Sequence, residues 1–204
     1  MIQKTINDYM ILEIPYNSKE YPQKLKQIKN PPKVLYALGN ITLLSKPIVA
    51  IVGTRKVSDL GAIKTKKIVE HFIKKGYVIA SGLALGVDEI AMRTALNYNA
   101  KVIAVLPSID NIVPKSNKPL ADEIVERDGL LISEYKDAIR KYMFIQRNRI
   151  VSAISDIVVV VETDIKGGTM HTVRFAKEQG KKILVANIPA PGNIKLMEEG
   201  YEVL

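Results

Sequence analysis

Three short turns in this chain group glycine with hydroxyl, guanidinium or carboxylate side chains. They are Gly53-Thr54-Arg55, Ser81-Gly82-Leu83-Ala84-Leu85-Gly86 with Asp88 close behind, and Gly167-Gly168-Thr169 with Thr172 one helical turn on. The chemistry open to such groups is the binding of an anion, phosphate above all. Glycine lets main-chain N–H groups approach a ligand closely. An arginine just past Gly53 can fork onto a phosphate while the turn amides hold a second oxygen. Ser81 offers a hydroxyl, and Thr169 and Thr172 both reach an anion at the start of a helix. Asp88 either complements the helix N-terminus or hydrogen-bonds a sugar or base. A further group, Arg147-Asn148-Arg149, sets two guanidinium groups around an amide. Side chains two residues apart on a helix do not share a face, so one arginine is expected at the crevice and the other in an internal pair.

Other chemistries find little support. The chain has no cysteine, which removes disulfides, thiol catalysis and Cys-based zinc sites. Its two histidines, His71 and His171, are isolated: the first falls in an amphipathic helix, the second is a weak candidate for a ligand contact in a first helical turn. No metal-ligand spacing and no set of nucleophile, base and orienting group is present, so no catalytic residue, metal or cofactor is expected. Glu134 and Glu162 follow apolar strands and are expected to orient arginine or hydroxyl groups. The G-x-G-x-x-G fingerprint and the G-x-x-x-x-G-K-[ST] loop are both missing, which disfavours NAD(P) binding and P-loop hydrolysis.

The elements that must position these turns read as alternating strands and helices. Apolar runs at Ile48–Val52, Tyr77–Ala80, Lys101–Leu106, Leu130–Ile132, Ile157–Val161 and Ile183–Ala186 are strands. Helical periodicity predicts helices over 59–75, 86–98, 117–128, 141–154, 168–179 and 192–199, with Gly76, Gly129 and Gly180 closing three of them. Tyr201–Leu204 follows the last helix. Strands apolar on both faces belong in a sheet covered on each side, so the expected fold is a doubly wound α/β domain with a mostly parallel sheet. Each glycine turn then lies at the carboxyl end of a strand, on one rim. Residues 1–40 read as a lead-in that packs on the core, with a short helix near 20–28 and a strand at Val34–Leu38; residues 41–204 form the domain proper.

Composition agrees with a globular protein: 47% apolar and 25% charged over 204 residues. The formal charge is +9, and since residues 81–204 hold 16 residues of each sign, the surplus lies within residues 1–80. A basic region beside an anion-seeking crevice points to a polyanion such as nucleic acid. The start, Met1-Ile2-Gln3-Lys4, lacks an apolar leader, and no apolar run is long enough for a bilayer, so a cytoplasmic location without membrane contact is expected.

The ordered set of motifs resembles the DprA/Smf DNA-processing family. The set is Pro31-Pro32 with Leu35-Tyr36 and Gly39, Val52-Gly53-Thr54-Arg55, Ser81-Gly82-Leu83-Ala84-Leu85-Gly86-Val87-Asp88, Ser133-Glu134, Phe144 with Arg147-Asn148-Arg149, Val160-Val161-Glu162, and Gly168-Thr169 with Thr172. The resemblance implies an extended Rossmann-like core that binds single-stranded DNA through its backbone phosphates. It also implies a homodimer, a RecA-type recombinase as partner, and no need of metal or hydrolysis. Arg55, Ser81-Gly82, Arg147 and Gly168-Thr169 would line the phosphate pocket. Met92 and Gly167 depart from the residues common in the family, and the helical and winged-helix modules that often flank the core are not seen, so a bare core is expected. The alternative is a nucleotide sensor or a phosphoribohydrolase-like enzyme on a related scaffold. The hallmark of those enzymes is a P-G-G-x-G-T-x-x-E turn, to which Lys166-Gly167-Gly168-Thr169 corresponds only in part.

Overall fold

Apolar residues fill both faces of the central strands, and helices cover both. The computed structural model describes residues 10–137 and 139–204; residues 1–9, the start of the expected lead-in, lie outside the described residues. The strands are β1 (Leu12–Pro15), β2 (Val34–Gly39), β3 (Ile48–Val52), β4 (Val78–Ser81), β5 (Val102–Leu106), β6 (Leu130–Ser133), β7 (Ile157–Val160), β8 (Lys182–Val185) and β9 (Glu202–Val203). The helices are α1 (Gln23–Lys26), α2 (Asp59–Lys74), α3 (Val87–Asn97), α4 (Lys118–Glu126), α5 (Lys141–Ile154), α6 (Thr169–Glu178) and α7 (Pro191–Glu198). From β3 onward these bounds lie close to the sequence reading. The lead-in differs: its helix shrinks to four residues, and β1 was not anticipated. Leu12–Pro15 is a short edge strand with three of four residues exposed, too brief to show a period.

All nine strands join one sheet in the order β1-β2-β6-β5-β4-β3-β7-β8-β9. Pairings from β6 across to β9 are parallel, while β2 is antiparallel to both β6 and β1. The chain on either side of residue 40 therefore contributes to a single sheet. Side chains of β3 alternate between two cores. Ile48, Ala50 and Val52 meet α5, α6 and α7 through Ile150, Val173 and Leu196. Val49 and Ile51 meet α2, α3 and α4 through Phe72, Ala91 and Ile124. Alternation of this kind is the period of two that a strand imposes.

Local signals explain the helix ends. The Ser58 side chain accepts from the Gly61 N–H at 3.0 Å and caps α2, and Gly76 takes φ +79° just past its end. After α4 the left-handed residue is Asp128 (φ 61°) rather than Gly129. Gly129 is needed for space instead: a Cβ there would press on the carbonyl oxygens of Ile124 and Val102. From β3 the chain winds outward through β4, β5 and β6, then returns over α5 to β7 on the other side of β3. Connections thus leave the adjacent carboxyl ends of β3 and β7 in opposite directions, and that divergence opens a crevice.

Candidate functional site

The crevice is a cavity of about 620 Å³. Its walls bring together Gly53, Thr54 and Arg55 after β3, Asp88 on α3, Arg147 and Asn148 on α5, and Gly167, Gly168, Thr169 and Thr172 at the start of α6. Thr169 and Thr172 are buried, and the Asn148 amide donates to the Gly168 carbonyl at 3.4 Å, which ties α5 to the α6 turn.

Arg147 forms the deep end. It is 8% exposed, and its Nη1 donates to the Val105 carbonyl at 3.3 Å and lies 3.9 Å from Asp88 Oδ2. Its Nε has no hydrogen-bond partner among the described residues. The guanidinium rests over Gly82, where any Cβ would run into it. Gly82 is thus a floor beneath Arg147, not a wall of the cavity. Asp88 accepts from the Gly82 N–H at 3.0 Å and the Ala84 N–H at 3.4 Å, so it braces the turn before its helix. Burial pushes the Asp88 carboxyl above the ordinary carboxylate range, and Arg147 and these hydrogen bonds pull it back. Burial likewise lowers the pKa of Arg147, Asp88 opposes this, and the positive charge of Arg55 adds to the lowering. The guanidinium stays protonated throughout.

Three other residues singled out from sequence lie away from the cavity wall. The Ser81 hydroxyl donates to the Ile51 carbonyl at 2.6 Å, so it is spent within the sheet. Gly86, at φ +79°, packs its α-carbon against the Thr54 and Arg55 carbonyl oxygens, while the Val87 N–H donates to Thr54 at 3.2 Å. It locks two turns together. Arg149 points to the opposite side of α5 and clasps both Glu134 oxygens, at 2.6 and 2.7 Å. Two residues of helix rotate a side chain by about 200°, which is why Arg147 and Arg149 part company. Glu162 accepts from the Ser58 N–H and hydroxyl, each at 3.0 Å.

Sequence reasoning missed several residues of the wall: Lys141, Ile145, Thr163 and Asp164; it named Phe144 as a motif residue without a role and gave His171 only weak weight. Lys141, Phe144 and Asn148 recur at helical spacing, a signal that was available. It also missed Asn193 on α7. This fully buried amide accepts from the Thr163 N–H at 2.8 Å and donates to the carbonyls of Val161 and Ala186 at 2.7 and 2.9 Å. It holds the segment after β7 in place. Neither Arg55 nor Lys141 pairs with a carboxylate among the described residues, whereas Asp164 accepts from the Ile165 N–H at 2.6 Å. No cluster of metal-ligating side chains occurs among the described residues. No described helix is long and apolar enough to cross a membrane.

Residues 13–203 match the family of DNA recombination-mediator protein A. The chain belongs to that family. Within it, Protein Smf of Borreliella burgdorferi is 36% identical over 207 residues, covering 99% of this chain and 65% of its own length. DNA processing protein A of Streptococcus pneumoniae superposes with a TM-score of 0.89 at 32% identity, over 95% of this chain and 71% of that one. DNA processing protein A of Helicobacter pylori, solved for its single-stranded DNA binding mode, superposes with a TM-score of 0.85 at 36% identity, over 96% and 90%. The chain spans about two thirds of the curated Smf relative's length. In this chain the cavity lies at the switch point of the sheet.

Proposed function

We propose that this chain binds single-stranded DNA without sequence preference, by its backbone phosphates, and that it does so without hydrolysis. One observation carries the reading: the Arg55 and Arg147 guanidinium groups line one cavity with the Gly53 and Gly167-Gly168-Thr169 turns, and Arg55 pairs with no carboxylate among the described residues. Asp88 and Asp164 are each engaged with main-chain amides. An oxyanion seated there accepts charge-assisted hydrogen bonds from both arginines. Support also comes from the family, and from the Helicobacter pylori relative solved for its single-stranded DNA binding. A cationic groove along a strand rim gives affinity that tolerates any base. The same reading takes the molecule as a homodimer, with a RecA-type recombinase as its protein partner; sedimentation and pull-down with such a recombinase check these two.

Fluorescence anisotropy with oligo-dT tests the reading. The expected outcome is saturable binding that Arg55→Ala weakens by roughly tenfold or more, the worth of a hydrogen bond to a charged group. Saturation by mononucleotides in place of oligonucleotides, or release of free base from a nucleoside monophosphate, would instead favour the nucleotide sensor or the phosphoribohydrolase-like enzyme.

A further inference from the structure

The antiparallel pairings of β1 and β2 have a geometric consequence. Because β2 runs against β6 and β1 runs against β2, the end of β1 lies on the same rim as the carboxyl ends of β6 through β3. That rim therefore extends five strand spacings from β3 to β1, about 24 Å. Two aromatic platforms stand on it. Tyr142 follows Lys141 of the cavity wall in the first turn of α5, is 47% exposed, and meets Tyr135, just past β6, edge to face at 6.1 Å. Tyr16, the residue after β1, is 38% exposed. It lines a second cavity, of about 420 Å³, with Lys33. The Lys26 ammonium stands 5.6 Å from the Tyr16 ring centroid.

We infer that a single strand seated in the phosphate cavity continues along this rim, over the first turn of α5 and on toward β1, stacking bases on Tyr142 and Tyr16. This rests on the proposed DNA-binding function and adds a direction and a base-contacting surface to it. The chemistry matches: aromatic faces accept any base, and neighbouring lysines meet the phosphates between them. Continuity with the cavity through Lys141 favours the same polymer over a separate protein ligand. Tyrosine is also the one ring type whose emission reports the contact, since the chain has no tryptophan.

The test compares oligo-dT of two lengths, one of about 4 nucleotides that fills the cavity alone and one of about 20 that also covers the rim. Tyr142→Ala and Tyr16→Ala are each expected to weaken the longer oligonucleotide roughly fivefold to a hundredfold, the worth of one stacked base, and to leave the shorter one unchanged. Tyr142→Phe is expected to keep the unaltered affinity, and tyrosine emission is expected to be quenched only by the longer strand. Unaltered affinity of both alanine variants for the longer strand overturns the track while the cavity reading stands. Equal weakening for both lengths overturns it as well, because the tyrosines then act on the cavity. Failure of the unaltered chain to bind either length overturns both readings together.

Discussion

Arg147 and Arg149 stand two residues apart on α5, and their surroundings assign them different work. Arg147 lines the cavity, whereas Arg149 is clasped by Glu134 and does not; each keeps one buried nitrogen without a partner among the described residues, Nε of Arg147 and Nη1 of Arg149. Arg149→Met leaves the Glu134 carboxylate half-buried without its cation, at a cost of about 3 kcal/mol in urea unfolding. Adding Glu134→Leu is expected to recover most of that stability, since an apolar pair can replace a buried ion pair. Oligonucleotide affinity per folded molecule is expected to change far less with Arg149→Met than with Arg147→Ala. Asp88 makes a pH-dependent contribution. Its folded pKa is raised by burial, so between the ordinary carboxylate value and the raised one the native state binds more protons than the unfolded chain. The stability it contributes is full below the ordinary carboxylate pKa and declines as pH rises through the raised value. Urea midpoints measured across that window are expected to fall with rising pH, and Asp88→Asn to flatten the fall. That one arginine would turn inward was legible from their spacing alone. Which of the two was not, because the rotation of α5 is set by its packing on α6 and the sheet.

Glycines of the same motif do different jobs in different elements. At Gly86 the backbone is left-handed, and a Cβ would meet the Thr54 and Arg55 carbonyl oxygens. Gly86→Ala is expected to cost about 1–3 kcal/mol in urea unfolding and to weaken oligonucleotide binding by moving the Arg55 turn. Gly168 has φ −56° and open space around its α-carbon. Gly168→Ala is expected to leave the unfolding midpoint within about 0.5 kcal/mol of the unaltered chain. Strand-to-helix turns at Gly53, Gly82 and Gly167 were legible because glycine punctuates local periodicity. Their unequal demands were not, because space at an α-carbon depends on what another element brings there. Gly82 shows this: its occupant is Arg147, 65 positions away in the chain.

At the scale of the molecule, the surplus positive charge sits in the first part of the chain, and the sheet carries its turns to one rim. Arg55, Lys141 and Arg147 are the cations at the cavity. If these three neutralise phosphates, the logarithm of the binding constant for a single strand filling the cavity falls with the logarithm of salt at a slope of about −2. Arg55→Ala is expected to make that slope shallower by about 0.7, read from anisotropy titrations at several salt concentrations. A slope near zero contradicts phosphate-backbone recognition. The two antiparallel strands added by residues 12–39 widen the rim well beyond the cavity, and no run of residues announced that β1 would pair there.

Strand and helix succession, the glycine turns and the family pattern were determined by the sequence alone, because each depends on residues within a few positions of one another. Tertiary structure alone decided which groups face the cavity. It committed Ser81 to the Ile51 carbonyl and Arg149 to Glu134, placed Lys141 and Phe144 in the wall, and made Asn193 the brace behind Thr163. Those outcomes follow from strand register and helix rotation, which are settled by packing between distant segments that no local pattern encodes.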